Sequence, residues 1–255
     1  MKVSCSSWSY HRTIGAGKLD QMGWIDLCAK ELKLDGVELL SNHFPNMDKR
    51  YLRDLKKKII DYGLTIAAVS ASNHFTIDSS REREKEIDKV KRWTDIGHFM
   101  SAPLIRIFAG GARELKDEIM WSKVTKALYK CSRYGQKIGV VMALENHGGF
   151  SADQVLRMIK EVDSPWLKLT VDTGNFPDDP YESIEKTIPH AAFVHAKFYE
   201  FDERGEEKRL DYHRIIDIFN KNNYIGFLSI EFEGEGEERV SVPLAVKALR
   251  LAQKV

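Results

Sequence analysis

Eight short apolar segments, separated by amphipathic or loop-like stretches, constrain this chain more than any other feature of it. The segments are KVSCSSW (2–8), DGVELL (35–40), TIAAVSAS (65–72), PLIRIFAG (103–110), GVVMALEN (139–146), LKLTVDTG (167–174), AFVHAKF (192–198) and GFLSIEFE (226–233). They are rich in Val, Ile, Leu and Phe and lack clean polar alternation, which is the pattern of strands buried on both faces. Helical periodicity fills most of the intervals. In 22–34, Trp24, Leu27, Cys28 and Leu32 form one stripe, and in 51–63, Leu52, Leu55, Ile59 and Tyr62 do the same before Gly63 closes the helix. Further helices are expected over 83–100, 118–139, 151–163 (with Ser151 as N-cap), 212–223 and 242–255.

Strands alternating with helices predict a parallel sheet. Eight such units in 255 residues match the size of a closed α/β barrel, the (β/α)8 or TIM barrel. The competing architecture, an open doubly wound sheet, carries a glycine-rich phosphate turn after its first strand, and SCSSWSY is not one. No Pro/Gly/Ser-rich linker interrupts the chain, so residues 1–255 are expected to form a single TIM-barrel domain.

Charge excludes some partners. Lys and Arg total 39 against 38 Asp and Glu, giving a formal net charge of +1. That balance lacks the basic footprint of a nucleic-acid binder, and the runs RDLKKK (53–58) and REREKEIDKVKR (81–92) fit solvated helix faces. Cys5, Cys28 and Cys131 lie far apart without CxxC or CxxH spacing, so they are expected as small buried residues rather than as a disulfide framework or a zinc site. MKVSCSSWSY is not a signal peptide, and no window approaches the ~20 apolar residues of a membrane span. A cytoplasmic protein with no membrane partner is expected; homo-oligomerisation is left open.

In a TIM barrel the chemistry sits at the C-terminal strand ends. There the sequence places Glu38, then Asn73 and His74, Arg106, Glu145-Asn146-His147, Asp172 to Asn175, His195 and Lys197, and finally Glu231 and Glu233. Strands five to eight each carry an acid or imidazole inside apolar sequence. Several unpaired polar groups converging in one barrel mouth are costly to desolvate, and a divalent cation resolves that cost. Glu145, Asp172, His195 and Glu231 are the expected ligands. Three carboxylates and one imidazole suit Mn²⁺ best, with Mg²⁺, Co²⁺ or Zn²⁺ also compatible. Glu233 is the alternative to Glu231.

The stretches ALENHGG (143–149), VDTGN (171–175), VHAKF (194–198) and NYIGFLSIEFEG (223–234) resemble the xylose-isomerase-like barrels of the sugar phosphate isomerase/epimerase branch, and the likeness covers nearly the whole chain. The resemblance implies the same ligand set, Glu145, Asp172, His195 and Glu231. It implies isomerisation or epimerisation of a keto sugar or sugar derivative, by removal of a proton next to a carbonyl and through a metal-stabilised enediolate. Glu145 and Glu231 would then be the catalytic acid/base pair. His74, Arg106, His147, Asn175, Lys197 and Trp8 are the expected substrate-binding residues, although Arg106 has a second possible role, pairing with Glu145 or Glu38 inside the barrel. Two positions depart from the family pattern: Asn175, where histidine is common, and Phe198, where aspartate is common. Both touch the substrate side. A metal-dependent lyase, dehydratase or 3-keto-glycoside deglycosidase on the same site is the alternative. An apurinic-endonuclease-like phosphodiesterase is a remote one, disfavoured by the neutral charge and by Asn175. The segment 199–209 is expected as either a lid or a disordered loop.

Overall fold

In a computed structural model, which describes residues 1–254, the eight strands close into a parallel barrel in sequence order. They are β1 (Lys2–Ser6), β2 (Gly36–Leu40), β3 (Thr65–Ser70), β4 (Leu104–Ile107), β5 (Val141–Glu145), β6 (Leu167–Asp172), β7 (Ala191–Phe198) and β8 (Phe227–Phe232). The α-helices among the described residues are α1 (His11–Gly15), α2 (Gln21–Lys30), α3 (Lys49–Asp61), α4 (Ser80–Met100), α5 (Glu118–Ile138), α6 (Ala152–Val162), α7 (Pro180–Thr187), α8 (Tyr212–Lys221) and α9 (Glu238–Ala252). The TIM barrel expected from the alternation is therefore the fold observed.

Local chemistry explains the boundaries. Ser151 accepts from the N–H of Gln154, whose side chain returns the bond, so α6 opens on a capping box. Asp20, Ser79, Asp117, Asp179 and Asp211 cap α2, α4, α5, α7 and α8 from one side only, each side chain accepting from a backbone N–H of the first turn. Gly139, at φ +81°, ends α5 in the left-handed conformation that only glycine adopts freely. Cys5, Cys28 and Cys131 are free and buried, as expected.

Two apolar layers hold the barrel. The outer one joins the sheet to the helices and includes Val37, Leu39, Leu55, Ile59 and Val90. Burying each such aliphatic side chain contributes about 1.5–3 kcal/mol. The inner one is a small cluster of Ala67, Ala68, Leu104, Ala143 and Phe193. Strand periodicity connects this cluster to the polar strand ends. Two residues beyond Ala68, Leu104, Ala143 and Phe193 stand Ser70, Arg106, Glu145 and His195, on the same face. Adjacent strands keep these levels in step, with Asp172 opposite His195 and Lys197 opposite Glu231. The chain thus builds an apolar tier inside the barrel and sets a charged tier directly above it.

Candidate metal centre

The charged tier brings all four expected ligands together. Glu145, Asp172, His195 and Glu231 are buried, and one potential ligand atom from each lies within 4.8 Å of the others. His195 Nδ1 is at the centre, 3.5 Å from Glu145 Oε2, 3.6 Å from Asp172 Oδ2 and 3.5 Å from Glu231 Oε2. Three of these atoms, Glu145 Oε2, Asp172 Oδ2 and His195 Nδ1, are buried without any hydrogen-bond partner. Buried polar atoms are nearly always satisfied, so orphans converging on one point require an explanation. A cation of the hard-to-borderline class would supply it, and the donor set fits Mn²⁺, Mg²⁺ or Co²⁺.

The imidazole is held in the orientation such a cation needs. Its Nε2 donates to Glu38 Oε1 at 3.0 Å, and a carboxylate can only accept, so the lone pair of a neutral ring lies on Nδ1. Glu38 is fully buried and is itself fixed by donation from Ser70 Oγ at 2.5 Å to Oε1 and from Ser229 Oγ at 2.7 Å to Oε2. Burial pushes the Glu38 carboxyl up, but His195 and its hydrogen bond outweigh this and leave it below the usual range. Burial lowers the affinity of His195 for a proton, yet the carboxylates of Glu38, Glu231 and Glu145 reverse that and raise it well above the usual range. Surroundings that favour a proton on this ring favour a divalent ion in its place, because metal and proton compete for the same lone pair.

The remaining carboxylates are differently supported. Glu145 Oε1 accepts from Asn175 Nδ2 at 3.2 Å, and His147 Nδ1 lies 3.4 Å away. Arg106 Nε sits 3.2 Å from Glu145 Oε2 without hydrogen-bond alignment, so of the two carboxylates considered as its partner it faces Glu145. Asp172 is positioned through its backbone: its N–H donates to Asn146 Oδ1 and its carbonyl accepts from Asn146 Nδ2. That is the structural work of the asparagine in ENH. Lys197 Nζ contacts Glu231 at 2.5 Å, Asp172 at 3.1 Å and Glu233 at 3.2 Å. Burial alone would drain its charge; the three carboxylates keep its affinity for a proton well above the usual range.

Beside the cluster opens a cavity of about 230 Å³, lined among others by Trp8, Arg106, Phe108, His147, Glu231 and Glu233. Four expected substrate-binding positions, Arg106, His147, Asn175 and Lys197, thus line it or touch the cluster. Trp8 also lines it, but not from a strand: β1 stops at Ser6, whose Oγ accepts from Trp8 N–H and starts a short 3-10 turn over Ser7–Tyr10. There the indole stacks on His11 at 4.3 Å and donates to Glu233. His74 is the exception. Its Nε2 lies 2.7 Å from Glu114 on the rim and 3.0 Å from Thr76 Oγ1, outside the cavity lining, because β3 ends at Ser70 and the chain has already turned away. The segment 199–209 is an ordered loop rather than a disordered one: Glu207 accepts from the backbone N–H of Tyr199, Glu200 and Arg209 and pins it down.

With this geometry in place, a family profile described as xylose isomerase-like TIM barrel matches residues 28–252. The chain belongs to that family. Among solved structures, a D-tagatose 3-epimerase-like protein superposes with a TM-score of 0.80 at 17% identity, covering 100% of this chain and 99% of its own. A 3-keto-D-glucoside 4-epimerase from E. coli superposes with a TM-score of 0.74 at 15% identity, covering 100% of both chains. Identities this low establish the shared fold. A curated relative, the C-glycoside deglycosidase alpha subunit of Arthrobacter globiformis, is 46% identical over 55 residues, which is 22% of this chain and 16% of that protein's length.

Proposed function

We propose that this protein is a divalent-metal-dependent isomerase or epimerase of a keto sugar or sugar derivative. The observation that carries the proposal is the convergence of the three orphaned atoms, Glu145 Oε2, Asp172 Oδ2 and His195 Nδ1, beside a cavity that Glu231 lines. Glu145, Asp172, His195 and Glu231 would hold the ion. When bound, it would supply electrophilic stabilisation of the negative charge that develops on a substrate oxygen.

Glu231 and Glu145 would form the acid/base pair, approaching the substrate from the β8 and β5 sides. Burial raises the Glu231 carboxyl, but Lys197 and His195 hold it well below the usual range, so it stays ionised, the form in which it could take a proton from the carbon next to the carbonyl. Burial likewise raises Glu145, and Arg106 with His195 brings it below the usual range. His147 and Asn175 are placed to orient Glu145 or to bind a substrate hydroxyl. Asp172 and His195 would act as ligands only. Phe108, 4.0 Å beneath the Arg106 guanidinium and 4.4 Å from the His147 ring, fixes the β4 wall of the site.

The local match to a deglycosidase subunit favours one second reading, elimination of a leaving group after the same proton abstraction, with a partner subunit as a possible requirement. Incubation of the manganese-loaded protein with a panel of keto sugars in D₂O separates the two. Deuterium in recovered sugar supports isomerisation or epimerisation, an expelled leaving group supports the second reading, and neither result sinks both.

A further inference from the structure

We infer, resting on the function just proposed, that the cavity takes an uncharged sugar and turns away its phosphorylated form, and that Glu233 enforces the choice. The charges in and directly behind the cavity are the basis. Five carboxylates, Glu38, Glu145, Asp172, Glu231 and Glu233, face two fixed cations, Arg106 and Lys197. The excess is three negative charges. With His195 neutral as a ligand, a divalent ion would leave one.

Both fixed cations are already charge-paired with carboxylates. Arg106 already faces Glu145, and its Nη1 donates to the Ala71 carbonyl; Lys197 is enclosed by three carboxylates and almost wholly buried. Phosphate sites are ordinarily built from an unpaired guanidinium fork or the N-terminus of a helix. No residue lining this cavity belongs to the first turn of a long helix. Instead the lining offers the neutral polar groups of Ser41, Asn42 and Ser72, with Trp8 and Phe108 as apolar rings. Hydroxyls and C–H faces suit such a wall.

Glu233 is the outermost of the five acids, its side chain about one-third exposed. Trp8 Nε1 donates to Oε1 at 3.1 Å, and Lys197 Nζ lies 3.2 Å from Oε2, so the carboxylate is anchored at both oxygens. Its remaining lone pairs accept from a sugar hydroxyl and repel a phosphate. A like-charge contact at a few ångströms in partly desolvated surroundings weakens binding on the order of 100-fold.

Calorimetric titration of the manganese-loaded full chain tests this, with D-fructose, D-tagatose and D-ribulose each run beside its terminal phosphate ester. At least one free sugar is expected to bind, with its ester at least about tenfold weaker or undetectable. Glu233→Gln is expected to narrow that gap several-fold, and Glu233→Lys to narrow it further. Esters binding as tightly as free sugars, or no free sugar binding, overturns the inference; a gap unchanged in Glu233→Gln overturns the assignment to Glu233. A sugar that binds but exchanges no proton in D₂O would sink the proposed reaction and leave this inference standing.

Discussion

Glu38 on β2 and Glu145 on β5 are both buried and both flank His195, yet their oxygens are treated in opposite ways. Both oxygens of Glu38 accept hydrogen bonds, from Ser70, His195 and Ser229. Glu145 has Asn175 on one oxygen and leaves the other, Oε2, with no hydrogen-bond donor. The same burial thus yields one closed carboxylate and one open one. A closed, fully bonded carboxylate orients its neighbour; an open one beside two further orphans waits for a partner from outside the chain. The difference separates the groups that support the site from the groups that would do chemistry.

The comparison can be broken most directly at the open side. The double substitution Glu145→Gln, Asp172→Asn should abolish tight metal binding, measured by elemental analysis of protein purified without chelator, and full metal retention would refute the ligand set. Glu231→Gln should slow sugar proton exchange by about 10²- to 10⁴-fold if that carboxylate moves the proton. On the closed side the expected effects are smaller. Glu38→Gln should weaken metal affinity by about 10- to 100-fold, read by competition with a chelator, because the orienting charge behind His195 is lost. Ser229→Ala should cost about 1–3 kcal/mol of stability through one unsatisfied Glu38 oxygen, seen as a lower thermal midpoint, while the ligands remain in place. The smallest effect expected is at the thiols. Burial pushes Cys5 and Cys131 up to about 12 and Cys28 well above the ordinary range, so a thiol reagent should modify none in the native protein and all three after unfolding.

Much of this was legible in the sequence because a barrel strand is a run of apolar residues, and eight such runs leave little freedom of architecture. The cluster of Glu145, Asp172, His195 and Glu231 was legible too: acids and an imidazole inside apolar runs mark strand positions where a barrel buries polar groups. The role of Glu38 was not. DGVELL shows a carboxylate at a strand end, but its partner His195 is 157 residues away, and only the closed barrel puts the two at 3.0 Å. The structural part of Asn146 was hidden likewise, since it braces β6 rather than anything near it in sequence. Helix α7 escaped periodicity analysis because its eight residues, PYESIEKT, make barely two turns. His74 misled for the converse reason. Its position after β3 depends on where the strand stops, and SASNHF continues as an irregular segment whose imidazole finds Glu114 instead.

The inner tier of Ala67, Ala68, Leu104, Ala143 and Phe193 carries a consequence for traffic. It fills the barrel beneath Glu145, Asp172, His195 and Glu231, which leaves the mouth as the way in. Under the proposed function, ion, sugar and product would all pass through it, and a sugar seated over the ion would bar its way out. Loading should therefore follow an order, cation before carbohydrate, with bound sugar slowing the escape of the ion to a chelator.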